Sequence, residues 1–391
     1  MSDRALKSPA LSGTLLYPLA FFFVFAGAGA FQQFYRPCVI RGTGASETQA
    51  SLLLALVYFA LAPSRLLVGG LARRIGEYGA CVLGAAMYVF FPAALLLTDR
   101  FAWLAASCVA MGFGGAILHT ATPSLMLDAG DARRRRGASV GTLYFWLGVG
   151  FSLGVALLAV LRSLDMYRGM AVSAVALTVL GVLAFAAGPR AIPRRVAARF
   201  AEFVREMRAR RAWLLAAILF GSSVGYGLML GAFFDRIGEN RTLQYVGLAS
   251  FYVLRTAATY VGGRTSDRFG RARVLRWSFL FAGAALLVAG VVDSPWAWAA
   301  CAVALGLQSG VAVVVPQAIV GDWAGPMRRH IAIGGIFLWR DLGMGITIFA
   351  GVALRELAGG GAWVWAAFGL FFILLGWVSS YLKSAPEDAM P

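Results

Sequence analysis

The sequence predicts an all-α membrane protein of twelve transmembrane helices in two six-helix, pseudo-symmetric bundles, and three observations lead there. The 391 residues are 60% hydrophobic and 14% charged, with a mean hydropathy of +0.75, more apolar surface than a water-soluble core can hide. Apolar runs of about 20 residues, enough to cross a hydrocarbon layer roughly 30 Å thick, recur from end to end. Two internal stretches also repeat at a separation of about 194 residues.

The first run, 15–35, lies behind Arg4 and Lys7 and ends in the small residues Ala26 to Ala30. It is longer than the apolar segment of a signal peptide and is expected to stay as a span. The second, 48–71, carries Arg65 toward its end, where a long cationic side chain is expected to snorkel to the headgroups. The third and fourth, 79–98 and 101–127, meet at Asp99 and Arg100, and the fourth holds His119. The fifth and sixth, 140–161 and 170–188, follow the run Arg133 to Arg136 and complete a first bundle, 1–188.

Residues 189–212 form the linker, in which Val196, Phe200, Phe203, Val204 and Met207 recur at helical spacing among arginines and glutamates. It reads as an amphipathic cytoplasmic segment lying on anionic lipid headgroups. A second bundle, 213–391, follows, with spans at 213–234, 243–263, 278–293, 295–320, 331–354 and 362–382. In the eighth span Tyr252, Arg255, Thr256 and Thr259 fall on one helix face. The eleventh carries Arg340 and Asp341 side by side near its middle.

The net charge of +17 is spread between spans instead of gathered on one soluble face, so it reports topology and not nucleic acid. Loops on one side hold Arg73 and Arg74, Arg133 to Arg136, Arg190 to Arg211, Arg264 to Arg276, and Arg328 with Arg329; the other side is poorer. This bias places both termini in the cytoplasm of a multi-pass protein of the cytoplasmic (inner) membrane. The four cysteines suggest no disulfide framework, with Cys38 alone outside the spans. Two histidines, His119 and His330, with no carboxylate or cysteine cluster and no phosphate loop, give no metal, no cofactor and no enzyme chemistry.

The repeat sets GGLARRIGEYG, from Gly69, against GGRTSDRFGRAR, from Gly262, with Gly76 and Gly270 in register. It also sets Arg133, Leu143, Gly148 and Gly150 against Arg328, Leu338, Gly343 and Gly345. A parallel duplication of six spans is an architecture of alternating-access carriers, with the substrate site between the halves at mid-depth. The second loop resembles the signature loop of the major facilitator superfamily at Gly263, Asp267, Arg268, Gly270 and Arg271. The first copy keeps Gly69, Arg74 and Gly76 but has Arg73 where the family has aspartate. The resemblance implies that the loop aspartate clips the halves together on the cytoplasmic side. The physical expectation is that Gly263 and Gly270 turn the chain and that Asp267 meets a helix N-terminus or the Arg133 to Arg136 run.

The same resemblance implies that spans one, four, seven and ten line a path. That nominates Gln32, Gln33 and Tyr35, His119 and Thr120, Ser222, Ser223 and Tyr226, and Gln308 and Gln317; Tyr252 and the charged residues join them. Charges inside spans are costly and face a cavity or a partner. Adjacent helical residues point about 100° apart, so Arg340 and Asp341 are not expected to meet. Asp341 is expected to pair across helices with Arg255 or Arg65, leaving a surplus cation. Two readings stay open, a network that fixes helix packing and a site that receives an anionic substrate with Asp341 as the proton-coupling group.

The expectation is a monomeric secondary transporter taking up a small organic anion together with protons or another coupling ion. The alternatives are a drug or metabolite efflux antiporter and a non-transporting receptor or assembly factor. The fifth span lacks the glycine-proline motif frequent in drug antiporters, and Gln32 and Gln33 stand where those carriers often have an acid.

Overall fold

A computed structural model describes residues 9–131, 136–188, 210–230, 241–324, 329–357 and 362–382, and all regular structure among them is helical. The linker residues 189–209 and Arg133 to Arg135 lie outside the described residues. The helices are α1 (Pro9–Val24), a π-turn (Phe25–Gly29), α2 (Ala30–Thr43), α3 (Glu47–Leu97), α4 (Phe101–Asp131), α5 (Arg136–Ser163) and α6 (Tyr167–Ala186). After the linker come α7 (Arg210–Leu230), α8 (Arg241–Phe269), α9 (Arg271–Val292), α10 (Pro295–Trp323), α11 (Arg329–Leu357) and α12 (Ala362–Ser379).

Seven described stretches are long and apolar enough to cross a membrane: Leu15–Thr43, Leu52–Leu97, Phe101–Leu127, Arg136–Ser163, Tyr167–Ala186, Arg271–Val292 and Pro295–Trp323. Arg211–Tyr226 and Trp363–Ser379 are shorter apolar helices. α8 and α11 fall outside both sets, and they are the helices that carry Arg255 and the Arg340–Asp341 pair.

The first span is broken in its middle. Gly27 takes φ −85°, ψ −106°, and the π-turn frees the Ala28 N–H, which donates to Thr178 Oγ1 at 2.9 Å. The small residues here are packing surface: a Cβ on Gly154 would run into the Ala26 carbonyl, and one on Gly150 into that of Phe22. α3 opens on a capping box in which Gln49 N–H donates to Ser46 Oγ and Ser46 N–H donates to Gln49 Oε1. It then runs through two apolar stretches with one break at Gly76, φ 77° and ψ 160°.

The two expected signature loops are single-residue turns. α8 continues to Phe269 and α9 starts at Arg271, so only Gly270, with φ 92°, separates them. Positive φ is nearly free for glycine and costly for other residues, which explains the turns at Gly76 and Gly270. Gly263 corrects the expectation that it turns the chain: it lies inside α8, where a side chain would strike the Gly137 carbonyl of α5. Cys38 is likewise buried in α2 and not outside.

The segments before and after the linker meet along two seams. α5 lies on α8, with Gly137, Gly141 and Gly148 against Gly263, Thr259 and Thr256, and α3 lies on α11, with Gly345 against Phe59 and Gly334 against the Arg65 carbonyl.

Candidate functional site

Between the seams lies a cavity of about 100 Å³. From α8 and α11 it receives Arg255, Arg340 and Asp341, and from α7 Ser222, Ser223 and Tyr226. The facing wall is largely aromatic: Phe25 of the π-turn, Tyr58 and Tyr88 of α3, and Tyr144 and Phe151 of α5, with Gln32 and His119 between them.

The charges are organised around Asp341, which is 1% exposed. Its Oδ2 accepts from Arg65 Nε, and its Oδ1 accepts from Arg340 Nε at 3.1 Å and Nη2 at 2.9 Å. The expectation that neighbours on a helix cannot meet fails here because it counts only Cβ directions, and a guanidinium has the reach to fold back. Arg65 corrects the snorkelling reading: it is 2% exposed, and its Nη1 donates to Thr120 Oγ1 at 3.0 Å and to the His119 carbonyl at 3.3 Å. Asp341 thus takes Arg65 as its partner across helices, and not Arg255.

Arg255 stands apart. Its guanidinium lies 4.6 Å over the Tyr226 ring, and its buried Nε has no hydrogen-bond acceptor. A cation over an aromatic face gains less than one facing a carboxylate, so this group stays under-compensated. With Arg65, Arg255 and Arg340 against Asp341, the site carries a surplus of two positive charges among the described residues.

The other expected residues divide. Gln32 faces the cavity and accepts from Tyr58 OH at 2.9 Å, and His119 Nδ1 lies 3.3 Å from Tyr144 OH. Gln33 instead donates to Tyr252 OH at 2.8 Å, joining α2 to α8, and neither residue lines the cavity. Gln317 donates to Tyr144 OH at 2.6 Å from behind the wall. Gln308 is fully buried away from the cavity, and its side-chain amide finds no partner. Tyr35 is removed from the path, stacked on Phe91 with its hydroxyl 3.2 Å from Cys108 Sγ. Sequence reasoning missed Tyr58, Tyr88, Tyr144 and Phe151. Three of them are hydroxyl-bearing rings in apolar runs, each needing a partner, and that was the available signal.

A second cluster closes one end of the molecule. Asp267 accepts from the backbone N–H groups of Gly137 at 3.2 Å and Ala138 at 2.9 Å, the first turn of α5, and from Arg271. This carboxylate on a helix N-terminus satisfies orphan donors and meets the positive end of the helix dipole. Asp322 of α10 joins the cluster, accepting from Arg271 Nε at 3.0 Å and from Arg136 at 3.1 Å. Leu127 of α4 packs on Gly321 beside it. Arg268 is exposed, as are Arg73 and Arg74 in the first copy, while Gly69 is buried in α3.

A family model described as Major Facilitator Superfamily matches residues 18–254 and 237–390. No curated protein matches the chain. Among solved structures, the chain is similar to a variant of the E. coli fucose:proton symporter FucP, with 15% identity, a TM-score of 0.75, and coverage of 96% of this chain and 99% of that one. The proton:xylose symporter XylE bound to 6-bromo-6-deoxy-D-glucose gives 12% identity, a TM-score of 0.70, and 97% of each chain. The human organic anion transporter MFSD10 (TETRAN) gives 16% identity, a TM-score of 0.69, and 95% and 98%. At such identities the structures establish the fold, and the family match over nearly the whole length establishes membership. This multi-pass, all-helical membrane protein belongs to the major facilitator superfamily of transporters.

Proposed function

We propose that the protein is a secondary carrier that takes up a small organic anion with protons by alternating access. In this reading it is a monomer of twelve spans in two six-helix bundles, 1–188 and 213–391, in the cytoplasmic membrane with both termini inside. The observation that carries the substrate reading is the charge imbalance of the buried site, three guanidiniums against one carboxylate. Uncompensated charge away from water costs several kcal/mol, and an anion entering the cavity removes part of that cost. Arg255, which has no carboxylate partner among the described residues, receives it first, and Arg340, already at the cavity wall, is drawn toward it. Asp341 then keeps only Arg65 and becomes the group that takes the proton. The similar structures include two proton symporters and an organic anion transporter, so the fold accommodates both halves of the proposal. Clipping by Asp267 at the cytoplasmic end, with release for inward opening, completes the cycle.

Counterflow in proteoliposomes tests it. Labelled substrate drawn from a set of carboxylates is expected to exchange, and an inward proton gradient to drive its accumulation. Exchange only of cations overturns the anion reading. Accumulation driven only by an outwardly directed antiport identifies an exporter, and binding without exchange identifies a receptor.

A further inference from the structure

Building on the anion reading, we propose that the substrate is a monocarboxylate with a compact, flat apolar body of about the size of benzoate. Its carboxylate lies on Arg255 and Arg340 and its body against the rings of α3 and α5. Three observations converge on this class. The first is the charge that faces the cavity: Arg255, Arg340 and Asp341 line it, whereas Arg65 sits behind with no exposed side-chain surface. The two guanidiniums that reach the cavity therefore stand together on one side of it, where a single carboxylate meets both. The second is polarity. Both lining cations come from α8 and α11, and the facing wall presents Phe25, Tyr58, Tyr88 and Phe151 with no guanidinium or ammonium among the described residues. A second carboxylate would lie against those rings without a cation, a desolvated charge left unpaired. The third is size. A cavity of about 100 Å³ is of the order of the engineered cavity that admits benzene, so it suits a body of about one six-membered ring.

The test uses the purified full-length protein in thermal-shift measurements and counterflow competition. The probes are benzoate, butyrate, succinate, glucose and benzylammonium. Benzoate is expected to raise the melting temperature and to compete at least tenfold better than succinate. Arg255→Gln is expected to weaken benzoate roughly tenfold or more, the loss of a charge-assisted hydrogen bond. Phe151→Leu, which keeps an apolar side chain but removes a ring, is expected to cut the preference for benzoate over butyrate by up to about tenfold. Each variant is first melted without ligand, so that a folding defect is read separately. Succinate binding as well as benzoate, or no carboxylate binding with measurable affinity, overturns the monocarboxylate assignment; in the succinate case the anion reading stands. Stabilisation by glucose or benzylammonium alone overturns both.

Discussion

In the proposed cycle Asp341 serves both packing and transport. Two guanidiniums satisfy its two oxygens, so substitution tests the two roles separately. Asp341→Asn keeps shape and hydrogen bonding but cannot take up a proton; counterflow is expected to persist while proton-driven accumulation is lost. If accumulation survives, Asp341 is not the coupling group. The partners respond differently. Arg65→Met leaves Asp341 with Arg340 alone, and removing one member of a buried pair costs about 3–5 kcal/mol. A large drop in melting temperature is expected, partly restored by adding Asp341→Asn. Arg255→Ala strands no carboxylate and is expected to melt close to the wild type; equal destabilisation by both variants contradicts this division. The sequence already named Asp341 and both candidate partners, because charges in apolar runs are rare enough to stand out. It could not rank the partners. Arg65 was misjudged because α3 runs on to Gly76, and about 16 Å of helix at roughly 1.5 Å per residue separates the two, beyond the reach of a snorkelling side chain.

The elements were legible where apolar runs are long and less so where helices outlast them. The charged segments after Gly69 and Gly262 read as loops from hydropathy, yet arginine is a good helix former, and the helix stops only where positive φ is required. The break in the first span had a weaker signal, the small residues Ala26 to Ala30, whose meaning depends on α5 and α6 packing against them. Thr178 of α6 is fully buried and holds that break together, accepting from Ala28 N–H while donating to the Ala174 carbonyl at 2.7 Å. Thr178→Val preserves the volume but leaves a buried N–H without an acceptor, at a cost of about 1–3 kcal/mol. Thermal unfolding is expected to show that loss, and Thr178→Ser to recover most of it. If Val and Ser behave alike, the π-turn does not depend on the hydroxyl.

At the scale of the whole molecule, the two matched loops turn on glycines of the same kind. Gly76 and Gly270 hold similar conformations, φ 77°, ψ 160° and φ 92°, ψ 139°, but the charges around them are reversed, with Arg73 and Glu77 at the places of Asp267 and Arg271. A carboxylate can cap a helix N-terminus and an arginine cannot, so the closure at this end rests on the second copy and on the close contact of Gly263 with Gly137. A rocking carrier must part that contact once in each cycle, whereas a fixed interface never does. Gly263→Val discriminates between them. In the closed arrangement its side chain meets the Gly137 carbonyl of α5; in an arrangement open at this end it leaves that carbonyl and keeps only the contact with the Val314 side chain of its own segment, present in both arrangements, and valine is no worse than glycine inside a helix. The substitution therefore penalises one state selectively, and reversing a 99:1 population takes about 5.5 kcal/mol, within the range of a severe backbone clash. Spin labels on Arg74→Cys and Arg268→Cys, exposed positions on the two sides of this end, report the outcome, since all four native cysteines are buried. The expected result is a shift of the label separation to longer distances, with a melting temperature within a few degrees of the doubly labelled parent. An unchanged separation together with a marked loss of stability makes the glycine contact a permanent part of the fold, and the rocking of the two segments about the cavity is then excluded at this seam.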